Sequence, residues 1–396
     1  MNVLVIATLY PNRAQPVHAL FVERRVRAMA KRFPVVVICP VPYFPLTGWM
    51  ARYRHRAGIP RRDTLDGIDV HYPRFLSIPR FLKPLDGLFL ALRVGWLARR
   101  LRRTFAFDRI DAHLAFPDGW AAVRLGRRFR VPVSVTLRGH DVNDLPRYPV
   151  RGRQVTSTLR DADAVLAVAD ALREGALDLG ASRERTFTVP NGVDRERFRP
   201  IPRDEARAEL GLPPSGRLIL SVGHLVERKG FHHLVRALPR VLETHEDAHV
   251  AIVGGPGEEG DFTDGIERAI AEAGVADRVT LAGAAGPDRL ALWYSAADVF
   301  CLASAREGRP NVVIEALACG TPVVATRVWG TPELVASEHV GALVDSVDPE
   351  TLGDALADAL SRDWDRTMVA AAVATLDWGA TAARIEEILA GLGRDR

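Results

Sequence analysis

Cysteine is scarce in this chain. Three occur in 396 residues, Cys39, Cys301 and Cys319. They show no paired spacing and no metal-ligand pattern. That argues against a disulfide framework, and a reducing cytoplasm is the simple expectation. No apolar run reaches the roughly 18 residues of a membrane span. The opening Met1-Asn-Val-Leu-Val-Ile-Ala has no basic n-region and no cleavage site, so it reads as a first strand and not as a signal peptide. Residues 1–20 carry no glycine fingerprint, which a nucleotide-dependent oxidoreductase needs after its first strand. No internal repeat or low-complexity segment stands out.

What is present is apolar, long and unevenly charged. An apolar content of 47% supports large cores, and the length suits two or three domains. Residues 1–200 hold 35 Lys and Arg against 18 Asp and Glu, a net +17. Residues 201–396 hold 18 against 31, a net −13. A basic half joined to an acidic half calls for an explanation. The basic half suits nucleic acid, anionic lipid or an anionic acceptor.

The chemistry concentrates in Ser304-Ala-Arg-Glu-Gly-Arg-Pro-Asn-Val-Val-Ile-Glu-Ala-Leu-Ala-Cys-Gly-Thr-Pro-Val323. Glu307 and Gly308 lie in a turn. Pro310 suits the first helical position, where its missing N–H is no loss. Val312, Val313, Ala316 and Leu317 follow at helical spacing. Gly320 ends the helix, Pro322 confirms the stop, and a short buried strand begins at Val323. One carboxylate thus precedes a helix N-terminus, and a second, Glu315, projects from the helix. The N–H groups of Asn311, Val312 and Val313 are expected to be unpaired donors that, with the helix dipole, suit a phosphate. Carboxylates for hydroxyls beside donors for phosphate fit a sugar nucleotide.

Elsewhere apolar runs alternate with helical periods. Residues 3–7, 35–39, 131–137 and 164–168 read as strands, with a helix over about 19–31. His113 ends a further strand. Asp118 and the run Arg138-Gly-His-Asp-Val-Asn143 fall in loops that open onto one crevice, where open α/β sheets gather ligands. In the second half, a strand at 218–222 leads into Gly223-His-Leu-Val-Glu-Arg-Lys-Gly230 and a helix over 231–242. Gly255-Pro-Gly-Glu-Glu-Gly260 has dinucleotide-fingerprint spacing. Pro256 and the two glutamates oppose pyrophosphate there, so it reads as a loop lining a nucleotide site. The short strand at 279–283, around Leu281, has backbone that can read a base.

Glu307 and Glu315 with the intervening Gly-Arg-Pro-Asn-Val resemble the donor-site motif of family-4 retaining glycosyltransferases, which have the GT-B fold. The likeness extends to Pro190-Asn-Gly-Val-Asp194, to the Gly223…Lys229-Gly230 loop and to Trp293-Tyr-Ser-Ala-Ala-Asp-Val-Phe300, and so covers nearly the whole chain. The loops at 113–143 resemble the teichuronic-acid-type subgroup. The resemblance implies an α/β GT-B fold, two Rossmann-like parallel-sheet domains facing across a cleft. Residues 1–198 would bind the acceptor, with the final helix at 378–396 returning to them, and residues 199–377 would bind the nucleotide sugar. It implies that Lys229 holds the donor diphosphate beside Gly223, His224 and Arg228. Glu307 would orient the sugar and Glu315 the ribose. Gly308, Arg309, Pro310, Asn311, Val312 and Leu281 complete the donor side. His113 would contact the donor sugar, with His18, Asp118, His140 and Asp141 on the acceptor side.

Two departures stand out. The loop Pro16-Val-His-Ala19 has none of the family's glycine, and His224 stands where arginine is usual, with Arg228 as a substitute. The implied activity is metal-independent retaining transfer from a UDP- or GDP-sugar, with no other cofactor. The implied acceptor is a glycan, polysaccharide or lipid-linked molecule of cell-envelope or exopolysaccharide synthesis. The expected location is cytoplasmic, with peripheral contact on the anionic inner face of the plasma membrane and no nucleic-acid partner. A helix over 85–105, ending in Arg99, Arg100, Arg102 and Arg103, is the place for that contact, through Trp96, Leu97 and Leu101. Two alternatives remain. A GT-B sugar-nucleotide epimerase would rearrange donor without acceptor. A non-catalytic nucleic-acid binder would show strong salt dependence and leave the glutamate motif unexplained.

Overall fold

The computed structural model describes residues 1–16, 18–44, 56, 58–78, 82–257 and 259–393. It divides into two compact units, Met1–Gly192 with Trp378–Arg396, and Val193–Asp377. The first unit ends at Gly192, not at residue 198 as expected. The reason is local. Val193 N–H donates to Leu376 O at 2.9 Å, and Phe198 is buried in the second core, 6.1 Å from the Tyr294 ring.

The strands of the first unit are β1 Val3–Ala7, β2 Val35–Ile38, β3 Val41–Tyr43, β4 Arg62–Leu65, β5 Ile68–His71, β6 Arg74–Leu76, β7 Arg109–His113, β8 Val133–Leu137, β9 Ala164–Ala167 and β10 Thr186–Thr188. Eight form one sheet in the order β10-β9-β8-β7-β1-β2-β5-β4. Every pairing is parallel except β4 with β5. That hairpin turns at Asp66-Gly67, both in the left-handed region that a two-residue turn requires. Strands β3 and β6 form a separate parallel pair. The Pro- and Arg-rich, weakly patterned stretch 42–84, which the sequence suggests is a long excursion, lies partly outside the described residues. β1 is buried at all five positions, as a strand covered on both faces must be.

Helix Leu20–Ala30 lays Val22, Arg25, Val26 and Met29 into the core. The C-terminal helix Trp378–Gly391 belongs to this unit and buries Ala382, Ile385 and Leu389. Arg32 ties to Glu386 at 2.6 Å, and Arg109 donates to the carbonyls of Leu389 and Leu392.

The second unit has β11 Arg217–Val222, β12 Ala248–Val253, β13 Val279–Gly283, β14 Val299–Leu302, β15 Val323–Thr326 and β16 Gly341–Val344. Their order is β13-β12-β11-β14-β15-β16, all parallel. Helix Phe231–Leu242 covers it with Leu234, Val235, Leu238 and Val241.

Strand order places the site. In the first sheet the chain runs outward from β1 to β2, and β7 lies on the other side of β1. In the second it runs from β11 to β12 and β13, and β14 lies on the other side of β11. Each sheet therefore has a topological switch point, at β1/β7 and at β11/β14. The loops leaving the carboxyl ends of those strands diverge and open a crevice there.

Candidate functional site

At the second switch point, β11 leads into Gly223 and a tight turn, Glu227–Lys229, before helix Phe231–Leu242. Gly230 links turn to helix with φ +70°, and a Cβ there would lie 1.9 Å from Ala303 O, so only glycine fits. Gly254 is equally confined, with a Cβ 1.8 Å from Gly223 O. These two close approaches pack the loops after β11, β12 and β14 together. The result is a short ion pair. Lys229 Nζ donates to Glu307 Oε1 at 2.6 Å, with side chains 11% and 9% exposed. Lysine occurs only at 31, 83 and 229, arginine carrying the rest of the positive charge. A compact point charge on a flexible stem is what this position uses.

Helix Asn311–Ala318 starts beside this pair in sequence. Pro310 is its N-cap, extended at φ −72°, ψ 110°, and not the expected first helical residue. Val313 N–H, expected to be one of the unpaired amides, donates to Pro310 O at 3.1 Å. Gly308 O accepts from Gly330 N–H at 3.0 Å, which fixes the Glu307–Gly308 turn against the loop after β15. Arg309, almost buried, binds Glu333 at 2.6 Å. Tyr294 Oη donates to Glu315 Oε2 at 3.2 Å.

The remaining donor-side residues divide. His224 is exposed, and its side chain lies about the Gly257 backbone, where a Cβ would be 3.0 Å from it. Arg228, the expected substitute cation, is engaged by Glu259 at 2.8 Å. Leu281 sits on edge strand β13, packed on the core. Sequence reasoning passed over Tyr294 and Glu333 as the partners of Glu315 and Arg309. It also passed over Ser304 and Thr331, whose hydroxyls are buried without a hydrogen-bond partner among the described residues.

The first switch point is built differently. His113, at the end of β7, is fully buried. Arg138 Nη2 lies 2.8 Å from His113 Nδ1, and Asp111 Oδ2 lies 3.3 Å from Nε2. Guanidinium only donates, so Nδ1 accepts and the ring proton sits on Nε2, facing Asp111. Burial pushes His113 down to about 4 against the pull of Asp111, so the ring is neutral. Burial opposes charge on Asp111, but His113, Arg25 and Ser134 together hold its carboxyl below the usual range. Both ring nitrogens thus face protein groups, Arg138 at Nδ1 and Asp111 at Nε2.

Asp118 and Asp141 are buried too, and each clasps a neighbouring loop. Asp118 Oδ2 accepts from Thr8 N–H and Oγ1 at 2.9 and 3.0 Å. Burial pushes Asp118 up to about 8, against those bonds. Asp141 accepts from the amides of Ala115, Arg138 and Gly139. Arg138 also reaches Asn191 Oδ1 at 2.8 Å. One network therefore joins the loops after β1, β7, β8 and β10. His140 stands outside it, exposed and paired with Asp144 at 3.0 Å, on a short helix within the expected loop. His18 is half-buried in the turn before helix Leu20–Ala30. Arg25 and Asp111 were unforeseen. Their signal was a charge in an apolar stripe: Arg25 between Val22, Val26 and Met29, and Asp111 inside Ile110-Asp-Ala112.

With this geometry established, likeness to known proteins becomes informative. Residues 202–373 match the family described as glycosyl transferases group 1, and residues 19–197 match glycosyltransferase family 4. The chain is 31% identical over 366 residues to the teichuronic acid biosynthesis glycosyltransferase TuaC of Bacillus subtilis (strain 168), covering 90% of this chain and 88% of that one. It is 39% identical over 299 residues to a D-inositol 3-phosphate glycosyltransferase of Segniliparus rotundus, 74% of this chain and 62% of that one, so it spans under two thirds of that relative. Among solved structures, sucrose-phosphate synthase from Thermosynechococcus elongatus superposes with TM-score 0.80 at 21% identity, over all of both chains. The Anabaena protein HepE, in complex with UDP and glucose, gives TM-score 0.73 at 22% identity, over 99% of this chain and 100% of that one. The chain belongs to the family-4, group 1 glycosyltransferases and has their GT-B fold.

Proposed function

We propose that the protein transfers a sugar, with retention and without a metal ion, from a UDP- or GDP-sugar to a glycan, polysaccharide or lipid-linked acceptor of the cell envelope. The observation that carries this reading is the Lys229–Glu307 pair at the β11/β14 switch point. Nearly buried charges this close compensate each other only while they stay together. A nucleotide sugar splits them with profit to both. Its diphosphate takes Lys229 and the first amides of helix Asn311–Ala318, and a sugar hydroxyl takes Glu307. Fixed donors matter most as negative charge grows on the leaving oxygen. Glu315, oriented by Tyr294, binds the ribose hydroxyls. The backbone around Leu281 lies toward the base, and His224 and Arg309 border the phosphate loop. HepE, which shares the fold, was solved with UDP and glucose, and that agrees with a nucleotide-sugar donor.

In the transfer step, the bond from the anomeric carbon to the phosphate oxygen breaks. The bond to the acceptor oxygen forms on the same face, and the acceptor proton passes to the leaving phosphate. The first unit binds the acceptor, with His18 and His140 on its loops. The buried network of His113, Asp118 and Asp141 positions those loops. Its basic charge favours an anionic acceptor and peripheral contact with an anionic membrane on the cytoplasmic side. No helix among the described residues is long and apolar enough to cross a membrane.

The test is a panel of UDP- and GDP-sugars with lipid-linked and oligosaccharide acceptors, read by NMR of the new anomeric centre, with and without chelator. Product with the donor's anomeric configuration, formed equally with chelator, is expected. An inverted product, a chelator-sensitive rate, or donor rearranged without acceptor contradicts the reading.

A further inference from the structure

We infer that the outward face of helix Asp86–Leu101 is a docking surface for an anionic lipid bilayer. The inference rests on the proposed transfer to an envelope or lipid-linked acceptor and gives its membrane contact a place. Leu88, Leu92 and Trp96 are 42%, 65% and 50% exposed. At about 100° per residue they share a sector of roughly 80°. Among the described residues, eleven large apolar side chains are exposed, and nine of them lie between Tyr43 and Val150 in this unit. A scatter of single exposed leucines needs no explanation, but a concentration on one element does.

The helix cannot turn this row inward. Its other face buries Leu90, Val94 and Ala98. A Cβ on Gly87 would stand 2.8 Å from the Trp120 ring, and one on Gly95 would stand 2.9 Å from Leu125. The glycines seat the helix so closely on helix Trp120–Phe129 that its rotation is fixed. This also corrects the sequence expectation. Trp96 faces out, but Leu97 and Leu101 pack against the core, and Leu88 and Leu92 take their place outside. Leu85, Tyr148 and Val150 are also exposed, and Gln154 Nε2 donates to Pro84 O at 2.9 Å, which ties the start of helix Asp86–Leu101 to helix Pro149–Asp161.

Charge selects the occupant. Residues 82–103 contain Lys83 and five arginines against one acid, Asp86. Asp86 is buried and already bound by Lys83 and Ser77. Arg93 and Arg100 each lie 4.9 Å from the Trp96 ring centroid, and Arg99, Arg102 and Arg103 are exposed beyond it. A second copy meeting this face about a two-fold axis would set cation against cation. A nucleic acid satisfies the arginines but leaves the leucine row without a stacking partner. A bilayer interface takes the leucines into its apolar layer, tryptophan at headgroup depth, and arginines on lipid phosphates.

The test uses the full chain and vesicle co-sedimentation. Vesicles of phosphatidylcholine alone are compared with equal parts phosphatidylcholine and phosphatidylglycerol. The protein is expected to sediment with the mixed vesicles and not with phosphatidylcholine. Leu92→Glu with Trp96→Glu, both at exposed positions, should weaken binding about tenfold or more. Arg99→Gln with Arg103→Gln should weaken it about fivefold per arginine, less at high salt. Equal binding by the glutamate variant, or equal binding to both vesicles, overturns the proposal. So does a dimer, seen by light scattering, that the same variant dissolves. UDP and GDP titration of the glutamate variant separates the two readings. Vesicle binding lost with nucleotide binding intact supports the face. Nucleotide binding absent from the unaltered protein counts against the transferase reading and leaves the vesicle result standing.

Discussion

The β1/β7 and β11/β14 switch points are equivalent places in two parallel sheets, yet their charges are used in opposite ways. At β1/β7, His113, Asp118 and Asp141 are fully buried and reach Arg138, Thr8 and the Ala115 amide. At β11/β14, Lys229 and Glu307 keep about a tenth of their surface exposed and pair with each other at 2.6 Å. A buried network that ties several loops together fixes geometry. An ion pair at a rim, beside a helix N-terminus, is poised to exchange partners. On the proposed function, the same position in a fold serves as frame in one unit and as ligand site in the other. Burial separates the two uses where residue type does not.

The sharpest way to break this contrast is to remove a charge from the frame. Asp111→Ala leaves the Arg25 guanidinium buried without its counter-charge, so a loss of about 3–5 kcal/mol is expected by urea unfolding. Nucleotide affinity of the folded protein should not move. A loss within the range of surface substitutions would mean that the network is not a frame. Next in size is the ligand site. Glu307→Ala should lower turnover by roughly 10²-fold or more, with some loss of stability because Lys229 loses its partner. Unchanged turnover in the folded variant removes Glu307 from the reaction.

The pH dependence of stability sharpens the contrast from the frame's side. His113 is pushed down to about 4 from 6.5, so between those values only the unfolded chain binds its proton, and stability rises with pH. Asp118 is pushed up to about 8 from 3.8, so over that range only the folded chain is protonated, and stability falls with pH. The two oppose each other up to 6.5. Above it His113 no longer opposes the Asp118 effect, which is at most about 1.4 kcal/mol per pH unit. Unfolding measured from pH 6.5 to 8 should show this decline in the parent and a clearly shallower one in Asp118→Asn. Equal slopes would contradict the buried, protonated Asp118. The smallest effect is expected from Glu315→Ala, which should weaken nucleotide binding roughly tenfold with little change in turnover at saturation. Calorimetry on the two proteins checks this.

Much of the second unit was legible because its signals are local. Helix Phe231–Leu242 shows its apolar period, and Gly320 with Pro322 marks the end of helix Asn311–Ala318 within a few residues. Lys229 and Glu307 stand out as motif residues. Their ion pair does not, because it depends on Gly230 and Gly254 letting three loops close together. The first unit was less legible. Strand order decides which loops meet, and nothing within β1 or β7 states that they are neighbours. Arg25 and Asp111 look like interruptions of apolar stripes until the structure sets them in one network. On helix Asp86–Leu101 the period was visible but the rotation was not, since Gly87 and Gly95 set it against helix Trp120–Phe129.

The central claim is that the β11/β14 pair is a nucleotide-sugar site that a diphosphate opens. Calorimetric titration of UDP and GDP, separately, into the protein and into Lys229→Ala tests it most directly. The account predicts that one nucleotide binds the intact protein and that the variant loses it. Failure of both nucleotides to bind, or equal binding by the variant, would contradict it.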